Sequence, residues 1–310
     1  MTATERIDSP RGHTRAGSFA WVAFAYAVAL AIAIATLVML REGAHLGVEG
    51  PLGDYAHLAI ADVVATLVIF AFSFGLKNSS VYDAYWMAAP PLFLVGGWAL
   101  ASYPTGMNAR QVLALLIILA WAARLTWNWI RGWSGLDHED FRYRDLQKKT
   151  GRAYWLVSLF GLHLFPTALV LVTMLPIAAI TAPAGASLGL YDAIGAAISI
   201  LGIVVQAIAD EQLRAFVKQK TDPDQICERG LWRFSRHPNY FGEISFWTGL
   251  AFLALGSGHA SWWSFAGIVA ILGLFVFASI PMMEGRQKRK PGWAEYARRT
   301  SVLVPLPRWR

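Results

Sequence analysis

The sequence predicts an all-α integral membrane protein: a bundle of about seven or eight transmembrane helices with both termini in the cytoplasm. Three observations carry this. The 310 residues are 56% hydrophobic and only 15% charged, whereas soluble domains hold about 25% charged residues. The apolar residues gather into runs near the roughly 20 residues that a helix needs to cross a bilayer. The Lys and Arg residues fall at alternate ends of those runs, as the positive-inside rule expects. The 14 tryptophans fit the same picture, since amphipathic rings favour the membrane interface.

Eight apolar segments follow in order: Ser18–Leu40, Ala56–Leu76, Ala84–Tyr103, Gln111–Ile130, Tyr154–Ile180, Gly189–Ala209, Tyr240–Leu255 and Ser261–Met283. Arg6, Arg11 and Arg15 precede the first. They resemble the start of a signal peptide, but the apolar run is too long and shows no clear cleavage site, so it reads as a retained helix. Pro104 and Gly106 mark the link after the third segment, and Pro183 and Gly185 the link after the fifth.

With the N-terminus in the cytoplasm, the cytoplasmic regions hold Lys77, then Arg131, Arg142, Arg144, Lys148, Lys149 and Arg152, then Arg214 to Arg236. The tail adds a final basic group from Arg286 to Arg310. The opposite side receives little beyond Arg41 and Arg110. An odd number of spans puts a basic region on the wrong side. No repeat or composition shift marks a second domain, so residues 1–310 read as one membrane domain. The motif-bearing segments lie in its C-terminal half, from about residue 140.

The net charge of +7 is assigned to cytoplasmic loops and anionic lipid rather than to nucleic acid. Cys227, the single cysteine, excludes an intramolecular disulfide and a metal site built on several thiolates. No HExxH, paired-His or CxxC pattern accompanies His163, which reads as a packing histidine, and no metal is expected. A transporter is disfavoured because no pair of repeats with broken helices is visible.

The most informative stretch is Glu228–Glu243, ERGLWRFSRHPNYFGE. Gly230 and Pro238 break the chain around a basic, aromatic-rich patch. Arg229, Arg233, Arg236 and His237 have the charge to hold an anion. Asn239 and Glu243 are four apart and share a face if a helix starts near Pro238. The plainer alternative is a basic cytoplasmic loop with a proline opening the next helix. In DEQLRAFVKQK, Asp210 and Arg214 are also four apart. They form either a surface ion pair worth little or a grip on a cofactor's ribose or phosphate. HEDFRYR, His138–Arg144, reads alone as a solvated loop. Asp62, Asp83, Arg124, Asn128, His163, Asp192 and Glu284 lie in or beside apolar segments, where ionisable groups are costly and each is a functional hypothesis. Arg124 leads them, against the alternative of snorkelling to the interface. Asp83 stands among Tyr82, Tyr85 and Trp86. A carboxyl–phenol pair there can polarise a carbonyl, and the alternative is a capping aspartate in an aromatic belt.

GLWRFSRHPNYFGE resembles the signature of the membrane steroid 5α-reductase superfamily, especially its bacterial branch. SSVYDAYW, AARLTWNW, EDFRYR, ADEQLRAF and EGRQKRKPGWAEYARRTSVLVPLP resemble segments found in that order in the same branch, so the resemblance covers Ser79 to Pro307. It implies a helical fold in a bacterial inner membrane, with NADPH in a cytoplasm-facing cavity. It implies reduction of a C=C bond conjugated to a carbonyl in a lipophilic substrate. By carry-over, Asn239 and Glu243 lie near the nicotinamide carboxamide, and Asp210 and Arg214 with the ribose and phosphates. Arg236, His237, Tyr240, Tyr143 and Arg144 complete the cofactor site, and Arg124 helps to bind cofactor. The Gln-Glu pair of the animal enzymes is absent, and Trp121 stands where their central tyrosine is sought. Asp83 and Tyr85 are the nearest substitutes for the catalytic acid. The alternative function is an S-adenosylmethionine-dependent methyltransferase of the isoprenylcysteine carboxyl or phospholipid type, whose C-terminal pattern shares the RHP-x-Y-x-G core.

Overall fold

The computed structural model describes residues 14–43, 50–183 and 187–308. Arg6, Arg11, Gly185 and Arg310 lie outside the described residues. Its helices are α1 (Arg15–Gly43), α2 (Pro51–Leu76), α3 (Ala89–Ser102), α4 (Ala109–Gly132), α5 (Phe141–Thr173), α6 (Leu175–Thr181), α7 (Leu190–Gln219), α8 (Pro238–Ser257), α9 (Trp262–Gln287) and α10 (Trp293–Arg299). Among the described residues there is no strand, only an isolated Ser235–Ser301 bridge. Among the described residues, six helices (α1, α2, α4, α5, α7 and α9) are long and apolar enough to cross a membrane. They mark the chain as an integral membrane protein.

Three segments differ from expectation, each for a local reason. The third was expected from Ala84, but α3 begins at Ala89 and is 14 residues long. Pro90 and Pro91 follow at once, and proline fits a helix only in its first turn. The fifth was expected unbroken to Ile180. Instead Met174 separates α5 from α6, which carries Pro176 in its first turn. The polar FRYR stretch, read alone as a loop, opens α5. Asp140 caps it by accepting the Arg142 N–H at 2.8 Å.

The chain divides into two compact units, Met1–Gly96 with Ala122–Leu171, and Gly97–Trp121 with Val172–Arg310. In the first, Ala25 and Ala29 of α1 pack with Ala65 and Ile69 of α2 in one apolar cluster. Small residues allow that approach, as is usual between helices in lipid. Asn78 then ties the turn after α2 to the segment before α5, donating to the carbonyls of Leu136 and His138 at 2.8 and 3.2 Å. His163 is fully buried, its ring 3.0 Å from the Ser158 carbonyl and 3.1 Å from Ser73 Oγ. Both ring nitrogens are satisfied, as in a packing histidine.

The second unit is built on α7 and α8. Gly195 and Gly202 of α7 face Gly249 and Gly242 of α8. A Cβ added at Gly249 would stand 2.1 Å from Ser199 Oγ and 2.4 Å from the Gly195 carbonyl, and one at Gly202 2.5 Å from the Gly242 carbonyl. Only glycine permits backbones this close. Ser199 Oγ adds a hydrogen bond to the Phe246 carbonyl at 3.1 Å. At the N-terminal end of α7, Asp192 accepts two bonds from Arg110, at 2.6 and 2.9 Å, and one from the Gly189 N–H at 2.8 Å. Arg110 and Asp192 are each 3% exposed.

Candidate functional site

The motif-bearing loop of the second unit is held from both sides. Gly230 has φ of 55°, and a Cβ there would collide with the Gln212 amide of α7 at 2.2 Å. The positive φ favours glycine, and a Cβ would also have to displace the Gln212 side chain. Gln212 Oε1 accepts the Leu231 N–H at 2.8 Å, and Trp232 Nε1 donates to the Ala209 carbonyl at 2.9 Å. From the other side, the Arg236 N–H donates to the Ser301 carbonyl at 2.8 Å, the Leu306 N–H to that of Phe234 at 3.1 Å, and Tyr296 Oη to that of Trp232 at 2.7 Å. Glu228, which opens the motif, accepts from Arg299 at 2.6 Å and Arg308 at 2.8 Å.

Pro238 then starts α8, with His237 as its N-cap. Arg236 Nε and His237 Nε2 both lie 3.2 Å from Glu284 Oε1 of α9. The Arg236 guanidinium also sits 5.9 Å from the Trp293 ring. The His237 ring stacks on Tyr240, which stacks on Phe275 of α9 at 4.2 Å. Burial lowers the His237 pKa, while the bond to Glu284 opposes that shift. Asn239 Nδ2 donates to Asp210 Oδ1 of α7 at 3.4 Å.

These groups border a cavity of 220 Å³. Arg236, His237, Asn239 and Tyr240 line it together with Lys220, Lys290, Trp232 and Trp293. Partial burial, and then the neighbouring Lys220, hold Lys290 below its usual pKa. Asp222 and Asp224 act on it in the opposite sense. Cationic groups, an amide and flat aromatic walls suit one end of a nucleotide. The volume lies below the roughly 300 to 1,000 Å³ of common ligand pockets.

The expected residues are therefore only partly gathered. Asp210 stands beside the cavity through Asn239. Arg214 Nε lies 3.8 Å from Glu211 Oε2. Glu243, expected beside Asn239's ligand, accepts from two indoles instead: Trp121 at 3.0 Å and Trp247 at 2.8 Å. Trp121 in turn stacks on Phe246 at 4.8 Å.

Asp83, Tyr85, Arg124, Tyr143 and Arg144 belong to the other unit. Asp83 and Tyr85 do not pair with each other. Tyr143 Oη donates to Asp83 at 2.5 Å, and Tyr85 Oη donates to Asp62 of α2 at 2.6 Å. Burial pushes the Asp83 carboxyl up to about 6, against the lowering effect of the Tyr143 bond. Asp62 is 7% exposed. In the sequence it is a carboxyl inside an apolar run, a signal that names no partner. Lys220 and Lys290 read from sequence as members of the basic cytoplasmic regions, and Glu284 as an ionisable group beside an apolar segment with no partner named.

Comparison with known proteins agrees in extent with the motif reading. A protein of Schizosaccharomyces pombe, "Uncharacterized protein C594.04c", is 26% identical over 233 residues, which cover 67% of each chain. No solved structure matches. Residues 69–300 match the family described as "Protein of unknown function (DUF1295)", a stretch that holds both the cavity and the Asp62-linked Tyr85, and the chain belongs to that family.

Proposed function

We propose that the protein is an NADPH-dependent membrane reductase of the steroid 5α-reductase type, acting on a C=C bond conjugated to a carbonyl in a lipophilic substrate. In this reading it resides in a bacterial inner membrane with its cofactor cavity facing the cytoplasm. The observation that carries the reading is the cavity at the start of α8. There four residues of the RHPNY segment meet two lysines and two tryptophans.

Lys220, Lys290 and Arg236 draw in and hold the polyanionic end of the cofactor. Asn239, held by Asp210, offers an amide for hydrogen bonding. NADPH, when bound, supplies a hydride to the β-carbon of the enone. As the C=C electron pair moves toward the carbonyl, negative charge develops on its oxygen, which needs a proton donor. We assign this role to Tyr85: the carboxyl of a protonated Asp62 passes its proton to the phenolate that Tyr85 leaves, and water reprotonates Asp62. A phenol already joined to a carboxyl at 2.6 Å is suited to such a handover. Asp83, joined instead to Tyr143, then supports structure.

The test is parallel binding of NADPH and S-adenosylmethionine to the detergent-purified protein, followed by Asn239→Ala. Saturable NADPH binding, weakened in the variant, supports the reductase. Binding of S-adenosylmethionine alone makes this a methyltransferase on the same fold.

A further inference from the structure

Two side chains of α9 hold the first turn of α8, and a regular α-helix does not let them. Phe275 stacks on Tyr240, and Glu284 meets Arg236 and His237. Nine residues apart at about 100° each, they point to opposite faces of an α-helix. Between them, Phe275–Ser279 is wound as a π-helix. Each π-turn takes in one residue more than an α-turn, which recovers about one residue's rotation, or about 100°. Phe275 and Glu284 thereby come to the same side. Both are buried, at 8% and 9% exposure.

A closed circuit results. Phe275 stacks on Tyr240, Tyr240 on His237, and His237 bonds back to Glu284. The backbone of the same stretch is pinned by other means. Ser235 Oγ accepts the His237 N–H at 3.1 Å and donates to the Leu303 carbonyl at 2.7 Å, while Ser301 takes the Arg236 N–H. Glu284 therefore governs the two side chains and not the fold of the loop.

We propose that Glu284 is a positioning residue that fixes the His237 ring and the Arg236 guanidinium at the cavity wall, and that the π-turn Phe275–Ser279 is the register device that brings it there. The cofactor consequence rests on the reductase reading, but the positioning itself does not. Among the described residues, Glu284 is also the one carboxylate that lines the cavity. Pairing it with Arg236 and His237 keeps it from repelling an anionic ligand, and leaves Lys220 and Lys290 to set the sign of the mouth.

The first measurement needs no ligand: titration of the His237 imidazole by NMR in the full-length, detergent-solubilised protein. Glu284→Gln is expected to lower its pKa, since Glu284 raises it and Arg236 lowers it. Glu284→Asp is expected to fall between. An unchanged His237 signal in Glu284→Gln overturns the proposal. The second measurement deletes Phe277, which is 85% exposed, so that the π-turn reverts to α and Glu284 swings away. The deletion is expected to reproduce the His237 change. Retention of the wild-type signal in a folded deletion variant overturns the register role, and Glu284→Gln still decides the rest if the deletion does not fold. The third is NADPH affinity, expected to fall about tenfold in Glu284→Gln and less in Glu284→Asp. If the wild type binds no NADPH, the reductase reading fails, and the positioning role still stands or falls on the His237 titration.

Discussion

Arg110→Met tests the packing of the second unit most directly. Arg110 and Asp192 form two parallel bonds, at 2.6 and 2.9 Å, with each side chain 3% exposed. The guanidinium also donates to the Ser187 carbonyl at 3.0 Å. Removing it leaves a carboxylate buried beside the Gly189 N–H and close against Gly256 of α8, where an added Cβ would stand only 2.7 Å away. Breaking one partner of a buried pair costs about 3 to 5 kcal/mol, and we expect that loss here. Replacing both charges, as Arg110→Met with Asp192→Asn, removes the orphaned charge and is expected to recover about 2 kcal/mol. Pulse proteolysis across a denaturant series in detergent reads both. A single variant within about 1 kcal/mol of wild type, or a double variant as unstable as the single, refutes the argument that the pair is dry and tight.

Gly249→Ala is expected to cost about 3 kcal/mol, because its Cβ meets backbone atoms of α7 that cannot swing away. Gly285→Ala, with nothing within 4 Å, is expected to be neutral or slightly stabilising; the same proteolysis series compares them. For Asp83, burial raises the folded pKa to about 6 from 3.8, so the folded state keeps a proton that the unfolded chain releases. Native stability should then fall as pH rises from about 4 to about 6. Asp83→Asn should remove that slope and exceed wild type by about 2 kcal/mol at pH 7, read by thermal unfolding at pH 4 and pH 7. Tyr85→Phe is expected to leave NADPH affinity within about twofold while lowering enone turnover at least about a hundredfold; equal turnover would move the proton donor elsewhere.

Much of the helical order was legible because lipid imposes length and apolarity on each span. Pro90 and Pro91 also mark a helix that starts later than hydropathy alone suggests, and Pro176 a break inside one apolar run. The α7–α8 seam was not legible. Gly195, Gly202, Gly242 and Gly249 sit in apolar runs like any small residues, and nothing in one run names its partner in another. The start of α8 was readable from Pro238 and its basic neighbours, so four cavity-lining residues were found in advance. Asp62 and Tyr85 lie 23 residues apart, and no periodicity links a mid-helix carboxyl to a phenol beyond the helix end. Glu284 stands out in sequence as an ionisable group beside an apolar run, but its place at the cavity does not: the π-turn before it changes the face it occupies, and sequence periodicity assumes a constant pitch.

The glycines of α8 that meet α7 are Gly242, Gly249 and Gly256, whose Cβ positions abut Gln206, Ser199 and Asp192 in turn. Steps of seven residues keep them on one stripe, drifting by only about 20° per step. An inserted or deleted residue between any two of them turns the remainder through about 100° and drives side chains into α7. The helix is thus indexed like a toothed rack. Substitutions on its outer face can accumulate, whereas its length between Gly242 and Gly256 is fixed, and with it the reach from the buried Arg110–Asp192 pair at one end to the cavity at the other.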